Sequence, residues 1–573
     1  MGELSLPILI YVIIFLALPF IFGYVARHFK LPLILGYMAS GIALSLFFRQ
    51  ESQAMLSLFA NIGLLLLLFT VGLEIHLDTF RKLSRFVIIG GLLQVGFTAL
   101  VLLVLSVVFG FGALQSIILS IAFSFSSTAV VSKIMTERDE EQTLFGQLAM
   151  GVLLFQDLLV IPLIVILSSL ETGQTGFALI ATVAVSLIKS ALILGLVYLL
   201  GEKIVPRVFE KVGRFSSELL NVFAVLFIFL TVFLFSLLGL SGTLAAFIAG
   251  LLVGQTLEHQ QIFSQIRPMR DIFVILFFVF LGATLDVSTH INLLPIIIIF
   301  GLLLVVIKVV VTTLIFMYLR FHSKVSFAIG IMLSQVGEFA FIILHQAKLI
   351  HFIDERLYFV SVGVTMFSII LTPIAINNRV KLYKDITDFL SKYLPVVNHF
   401  ISYGVDRDLG HTAPSDLKDH VVICGYGSMG KYIGRALKLA DVKYVAIDYD
   451  YYLVKSARSE DAPIIYGDPT QIDLLEYAHV GSASCLVSVV PDMISQEAIL
   501  LNARSLNSKL VIFSRVNRDV DQKRMKDLGA EVVVQPEFEG AVSIIKKILA
   551  GQSISKDDIV GKIKRLRLEH GMA

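Results

Sequence analysis

The sequence predicts a polytopic all-α membrane domain of about thirteen transmembrane helices, with inverted repeats and two crossed discontinuous helices, followed by a cytosolic α/β Rossmann-like domain. Three observations carry this fold class. Hydrophobic residues make up 57% of the chain, charged residues 16%, and the mean hydropathy is +0.86. A soluble domain carries about 25% charged residues, so much of this chain must face lipid. Composition then changes near residue 380, where long apolar runs give way to soluble charge density. Beyond that change, a strand-like run, a glycine fingerprint and a helical stretch follow one another. The predicted boundaries are 1–380 for the membrane domain, 381–417 for a linker, 418–545 for a nucleotide-binding domain and 546–573 for a C-terminal tail.

Composition also excludes several classes. A formal net charge of +2 gives neither a nucleic-acid footprint nor an acidic tail. Cys424 and Cys485 form no disulfide framework and no metal-ligand spacing. The N-terminus lacks the basic n-region and small-residue cleavage site of a secretory signal, which predicts a retained membrane helix.

A helix needs about 20 apolar residues to cross the hydrocarbon core. On that rule the first spans are Leu6–Ala26, Leu31–Phe48, Met55–Leu73, Phe86–Val108, Leu114–Ile134, Phe145–Leu170 and Phe177–Leu200. The remainder are Glu218–Leu238, Gly239–Gly254, Ile272–Leu285, Asn292–Tyr318, Val325–His345 and Leu357–Ile376. Odd-numbered loops hold the basic residues: Arg27, His28 and Lys30, then Arg81, Lys82 and Arg85, and later Lys203, Arg207, Arg267, Arg270, Arg320 and Lys324. Even-numbered loops such as Gly110–Ala113 carry few or none. The positive-inside rule therefore predicts an outside N-terminus and a cytoplasmic C-terminal domain.

Two runs are unfit for plain lipid exposure. Phe123-Ser124-Phe125-Ser126-Ser127-Thr128 breaks the fifth with hydroxyls, and Ser334-Gln335-Val336-Gly337-Glu338 breaks the twelfth. Polar, glycine-broken segments at corresponding places in two halves point to discontinuous helices around a transport site. Two lone charges, Asp157 and Lys308, sit in apolar runs, and a charge at mid-bilayer costs at least ~2.5–3.5 kcal/mol. They are read as the ion and proton site, with Asp157 binding either a proton or a cation. A hard monovalent cation there would take oxygen ligands from Gln156, Ser126, Thr128 and free carbonyls. Lys308 is expected to pair with Asp157 and compete for it. Glu338 either touches the ion, pairs with a lysine or caps a half-helix. The blander alternatives are a structural Asp157–Lys308 salt bridge, hydroxyls bonded within their own helices, a snorkelling Lys189 and a structural His345.

In the C-terminal part, Val421–Cys424 reads as a strand, Gly425-Tyr426-Gly427-Ser428-Met429-Gly430 opens a helix, and a second strand ends at Asp448. That context is what a dinucleotide fingerprint requires: Gly425, Gly427 and Gly430 for turn and phosphate, Asp448 for the ribose hydroxyls. Further strands are expected at Pro463–Tyr466, Cys485–Val490, Lys509–Ser514 and Glu531–Val534. A Rossmann-like domain that binds no nucleotide is the alternative.

Phe155-Gln156-Asp157 after Gly151, Ser126-Ser127-Thr128-Ala129, Phe277–Ala283 and Gly337-Glu338-Phe339-Ala340-Phe341 resemble the monovalent cation:proton antiporter-2 family, Kef-type potassium efflux systems in particular. The C-terminal part resembles a regulator-of-potassium-conductance domain of TrkA N-terminal type, through the fingerprint, Asp448, Gly467-Asp468-Pro469-Thr470 and Arg515. The resemblance implies a bacterial inner-membrane homodimer with an elevator motion. It implies exchange of potassium, or sodium, for protons at Asp157, with AMP or NAD(H) as a regulatory rather than redox ligand near Gly467 and Asp468. Kef systems carry acidic residues and a proline in the ninth loop, where this chain has Gln261-Ile262-Phe263-Ser264-Gln265-Ile266-Arg267-Pro268. The missing acids argue against glutathione gating. Gln156 in place of a first acid argues for electroneutral exchange. A potassium channel would need a TVGYG-like filter loop, and Thr70-Val71-Gly72-Leu73 continues without Tyr-Gly. A membrane-tethered NAD enzyme would need a catalytic constellation beside the fingerprint, and none is found, so no enzymatic activity is expected.

Overall fold

The computed structural model describes residues 6–29, 31–45, 53–74, 85–138, 140–141, 143–170, 185, 204–237, 242–256, 258–285, 287–393, 417–552 and 554–569. Contacts gather the chain into two units, one of residues 1–131, 149–312 and 330–379, the other of residues 132–148, 313–329 and 380–573.

The apolar runs form helices because nothing in them offers the backbone another partner, and in lipid every N–H and C=O must be satisfied internally. In order they are α1 (Leu6–His28), α2 (Leu33–Ser45), α3 (Gln53–Glu74), α4 (Arg85–Val108), α5 (Ala113–Ser124), α6 (Thr128–Arg138) and α7 (Leu144–Leu170). Next come α8 (Val205–Gly213), α9 (Ser217–Leu237), α10 (Gly242–Gly254), α11 (His259–Ala283), α12 (Leu294–Tyr318), α13 (Ser323–Met332), α14 (Phe339–Leu349), α15 (Glu355–Asn377) and α16 (Arg379–Tyr393). Among the described residues, five helical stretches are long and apolar enough to cross a membrane, and seven shorter apolar helices accompany them. The predicted span Phe177–Leu200, Lys189 included, and the loop residues Lys30, Arg81, Lys82 and Lys203 lie outside the described residues, apart from Val185.

Two expected loops are helical instead. The tenth span starts at His259 rather than Ile272, because Gln261–Asp271 continues α11 as a polar helical half that a hydropathy window excludes. The start of the expected linker, Arg379–Tyr393, is the amphipathic helix α16.

The second unit contains a six-stranded, all-parallel sheet of order β3-β2-β1-β4-β5-β6. Its strands are β1 (Val421–Cys424), β2 (Tyr444–Asp448), β3 (Ile464–Tyr466), β4 (Cys485–Ser488), β5 (Val511–Arg515) and β6 (Val532–Val534). The intervening helices are α17 (Ser428–Leu439), α18 (Tyr451–Ser459), α19 (Ile472–Tyr477), α20 (Met493–Leu506) and α21 (Asp519–Asp527). β1 is buried at every position, as a parallel strand covered on both faces must be. One apolar layer forms around Val422, Val445, Leu486 and Ile499, the other around Ile423, Ala446, Val454 and Tyr466. The stretch expected as a tail is ordered as α23 (Lys556–Glu569), whose Ile559 and Ile563 pack with Val542 of α22 (Pro536–Gly551).

Candidate ion site and nucleotide crevice

The fifth and twelfth apolar runs each stop and restart. α5 ends at Ser124 and α6 begins at Thr128, while α13 ends at Met332 and α14 begins at Phe339. The two gaps satisfy each other's backbone. Gln335 accepts from Ser127 N through Oε1 (2.8 Å) and donates to Ser127 O through Nε2 (3.1 Å). Gly337 N donates to Phe125 O (3.1 Å), and Ser126 Oγ donates to Leu333 O (2.7 Å). A Cβ on Gly337 would stand 2.8 Å from the Ser126 carbonyl, so only glycine allows this approach.

Lys308 on α12 is fully buried, and its ammonium donates to Phe125 O (2.9 Å), Ser126 Oγ (3.0 Å) and Gln335 O (2.7 Å). These acceptors lie just past the C-terminal ends of α5 and α13, where the helix dipoles are negative. The expected direct pairing of Lys308 with Asp157 is therefore corrected: all three ammonium protons go to the breaks, because free carbonyls at two helix ends outnumber one carboxylate. Asp157 on α7 is 9% exposed and accepts from Thr128 Oγ1 (2.9 Å), the first residue of α6. The carboxylate thus lies at a positive helix end and the ammonium at two negative ones.

Gln156 is placed as a strut. Its Oε1 accepts from Ser126 N (2.9 Å) and its Nε2 donates to Gln94 Oε1 (2.5 Å). Gln94 in turn donates to Ser124 O and Thr98 Oγ1, both at 3.3 Å. Sequence reasoning passed over Gln94 and Gln335 as site residues. The available signal was a lone amide in an apolar run at Gln94 and an amide inside the polar break at Gln335. Glu338 occupies the N-cap of α14, makes no capping bond, and its buried Oε2 has no hydrogen-bond partner among the described residues.

In the sheet domain, Gly425 turns the chain after β1 at φ +94°, and a Cβ on Gly430 would meet Gly425 O at 2.2 Å. Gly427 caps α17 and nothing stands within 4 Å of where its Cβ would be. That is the open helix N-terminus a phosphate requires. Asp448 at the end of β2 accepts from Tyr426 N (2.6 Å) and Asp450 N (2.8 Å). Burial outweighs these bonds and pushes its carboxyl up to about 6. After β3, Gly467 sits at φ +150° and Asp468 is buried. Burial would raise the Asp468 carboxyl, but Lys324 and His322 together hold it below the ordinary carboxylate range. The open Gly427 amide end and the Asp448 carboxylate fit a nucleotide's phosphate and ribose. Arg515, the last residue of β5, donates to Asn517 Oδ1 (3.1 Å) and lines a recess of about 20 Å³ with Arg138 and Arg518.

A helical membrane domain with two facing helix breaks, joined to a parallel-sheet domain with a phosphate-binding turn, defines the class of a regulated ion transporter. Residues 14–379 match the family described as sodium/hydrogen exchanger, transmembrane, and the chain belongs to that family. Residues 421–536 match the TrkA-N domain. The chain is 29% identical over 500 residues to the glutathione-regulated potassium-efflux system protein KefC of Enterobacter sp. (strain 638), covering 86% of this chain and 76% of that protein. It is similar to the Kef C-terminal domain of Shewanella denitrificans in AMP-bound form, at 24% identity and a TM-score of 0.24, over 27% of this chain and 92% of that one. It is also similar to the sodium proton antiporter MjNhaP1 of Methanocaldococcus jannaschii, at 15% identity and a TM-score of 0.48, over 65% and 97% of the two chains. The protein is a multi-pass membrane cation:proton antiporter of this family with a Rossmann-like regulatory domain.

Proposed function

We propose that the protein exchanges potassium for protons across the bacterial cytoplasmic membrane, one for one, under control of an adenine nucleotide bound to its cytosolic domain. The observation that carries this reading is Asp157, a buried carboxylate at the Thr128 end of α6, beside a helix break whose charge Lys308 balances. A proton or a dehydrated cation neutralises Asp157 equally well. In either state the site is uncharged enough to cross an apolar barrier, and the bare carboxylate is not. Thr128, Ser126, Glu338 and the carbonyls of the two crossed half-helices supply the cation's oxygens. Gln156 contributes by holding the break open and carries no charge, which keeps the exchange electroneutral. Crossing is by an elevator movement of the helices around the breaks within a homodimer. The N-terminus lies outside and domain 418–545 in the cytoplasm, joined by linker 381–417.

The nucleotide is AMP or NAD(H), with phosphate at Gly425, Gly427 and Gly430, ribose at Asp448 and base toward Gly467 and Asp468. Glutathione control, which belongs to the relative's name, is set aside here because Gln261–Pro268 carries no acid. Sodium is the second reading, favoured by the family match. Proteoliposomes loaded with a pH dye separate the cases: potassium-driven proton movement without current supports the proposal, sodium-only movement shifts it to sodium, and turnover with a clear current sinks one-for-one exchange.

A further inference from the structure

The crevice on the β3 side is not empty, and its occupant comes from the membrane helices. Within the second unit, the loop Leu319–His322 between α12 and α13, with the first turn of α13, lies against the ends of β2 and β3. Tyr452 Oη donates to Leu319 O (3.1 Å), and the Phe321 ring meets the Tyr452 ring with centroids 6.0 Å apart. The His322 ring stands 6.3 Å from that of Tyr449 and 6.4 Å from that of Tyr466. Lys324 Nζ donates to Asp468 Oδ2 (2.9 Å) and to Thr470 Oγ1 (3.1 Å). Burial holds His322 below its ordinary value, and Lys324 is the cation hydrogen-bonded to Asp468.

The strand order places the switch point between β1 and β4, and ligands of such sheets bind beyond the strands' carboxyl ends. With phosphate at Gly427 and ribose at Asp448, a base extends outward over the end of β3, where Asp468 is the buried acceptor. Adenine presents an exocyclic amino group, a donor. Both Asp468 oxygens are already engaged, Oδ1 by Thr470 N (3.0 Å) and Oδ2 by Lys324. Each oxygen keeps a second lone pair, but an amino group arriving at Oδ2 would meet the Lys324 ammonium, a cation that crowds and repels the incoming donor.

We propose that the 319–324 loop is a built-in occupant of the base-binding end of this crevice, with Lys324 standing where an adenine amino group would donate, so that nucleotide binding and loop docking exclude each other. The inference rests on the reading that the crevice binds an adenine nucleotide. Lys324, in sequence only one of several basic loop residues, then acts as the link between the crevice and transport. The displaced loop is continuous on one side with α12, which carries Lys308, and on the other with α13, which ends at the break containing Gln335.

The test uses the full-length protein in detergent, with AMP as probe. Titration calorimetry is expected to show Lys324→Met binding AMP about threefold to tenfold more tightly than wild type, the scale of one partly exposed ion pair removed from a competitor. Lys324→Arg, which keeps the pair, stays within about twofold, and Asp468→Asn binds more weakly. Independently of any variant, saturating AMP raises amide hydrogen exchange in residues 319–324 of the wild type. Unchanged or weaker binding by Lys324→Met, or greater protection of the loop with AMP, overturns the proposal. Absence of AMP and NADH binding in both wild type and Lys324→Met overturns the nucleotide reading itself, and the proposal with it.

Discussion

The helix breaks and the nucleotide crevice both expose backbone at helix ends, and they treat it in opposite ways. At the breaks several of these groups are met from within: Lys308 takes Phe125 O and Gln335 O, Gln335 brackets Ser127, and Gln156 holds Ser126 N. In the crevice the N-terminus of α17 is left open at Gly427. The difference follows from the solvent. An unmet carbonyl in a bilayer costs several kcal/mol, whereas an amide facing water loses nothing until a ligand arrives. The membrane site is therefore built to stay assembled while one carboxylate changes partner, and the crevice is built to gain a partner.

The sharpest way to break that comparison is Asp157→Asn. The amide keeps an acceptor for Thr128, so melting should shift by no more than about 1 kcal/mol in stability. Exchange in proteoliposomes should fall by at least about 100-fold, since the proton-carrying group is gone. Retained exchange would leave the buried carboxylate without a transport role. Lys308→Met should behave in the reverse manner, lowering stability by about 3–5 kcal/mol by stranding carbonyls at two negative helix ends. A thermal-shift assay in detergent that finds this variant as stable as wild type would show the breaks to be held by something other than the ammonium.

Gln335→Leu removes two bonds between the breaks, worth together about 1–3 kcal/mol, and should slow exchange without changing which cation is carried. In the crevice two glycines divide the effects. Gly430→Ala would place a Cβ 2.2 Å from Gly425 O and should destabilise the sheet domain by about 1–3 kcal/mol. Gly427→Ala meets nothing and should leave melting within about 0.5 kcal/mol, yet weaken AMP binding about tenfold or more by standing where phosphate approaches. Equal loss of AMP binding and stability in both variants would remove the distinction.

Much of this was legible from pattern. The apolar runs, their interruptions at Phe125 and Gln335, and the strand–glycine–helix unit at Val421–Gly430 follow from hydropathy and turn chemistry alone. Partner choice was not legible. A lone Lys308 and a lone Asp157 suggest each other by charge, but sequence does not display carbonyls, and the breaks hold more of them than any carboxylate can match. The polar half of α11 escaped for a related reason. Arg267, Arg270 and Asp271 look like loop to a hydropathy window, although their backbone is as helical as the apolar half. The sequence also did not place Lys324 on Asp468, since 144 positions separate them and only the fold joins them.

The smallest expected effect concerns Asp448. Its folded value, about 6 against an ordinary 3.8, means that the folded domain holds this proton more tightly than the unfolded chain does. Its contribution to stability is thus fully present below about pH 4 and is lost as pH rises through about 6. A ribose hydroxyl donates more strongly to the ionised carboxylate than to the protonated one. AMP affinity of the full-length protein should therefore move opposite to this contribution, rising a few-fold between about pH 5 and 7. Asp448→Asn should flatten that rise, because an amide oxygen accepts the hydroxyl at every pH. An AMP affinity independent of pH in the wild type would place the ribose away from Asp448, and with it the difference between a crevice that waits for a partner and a membrane site already filled.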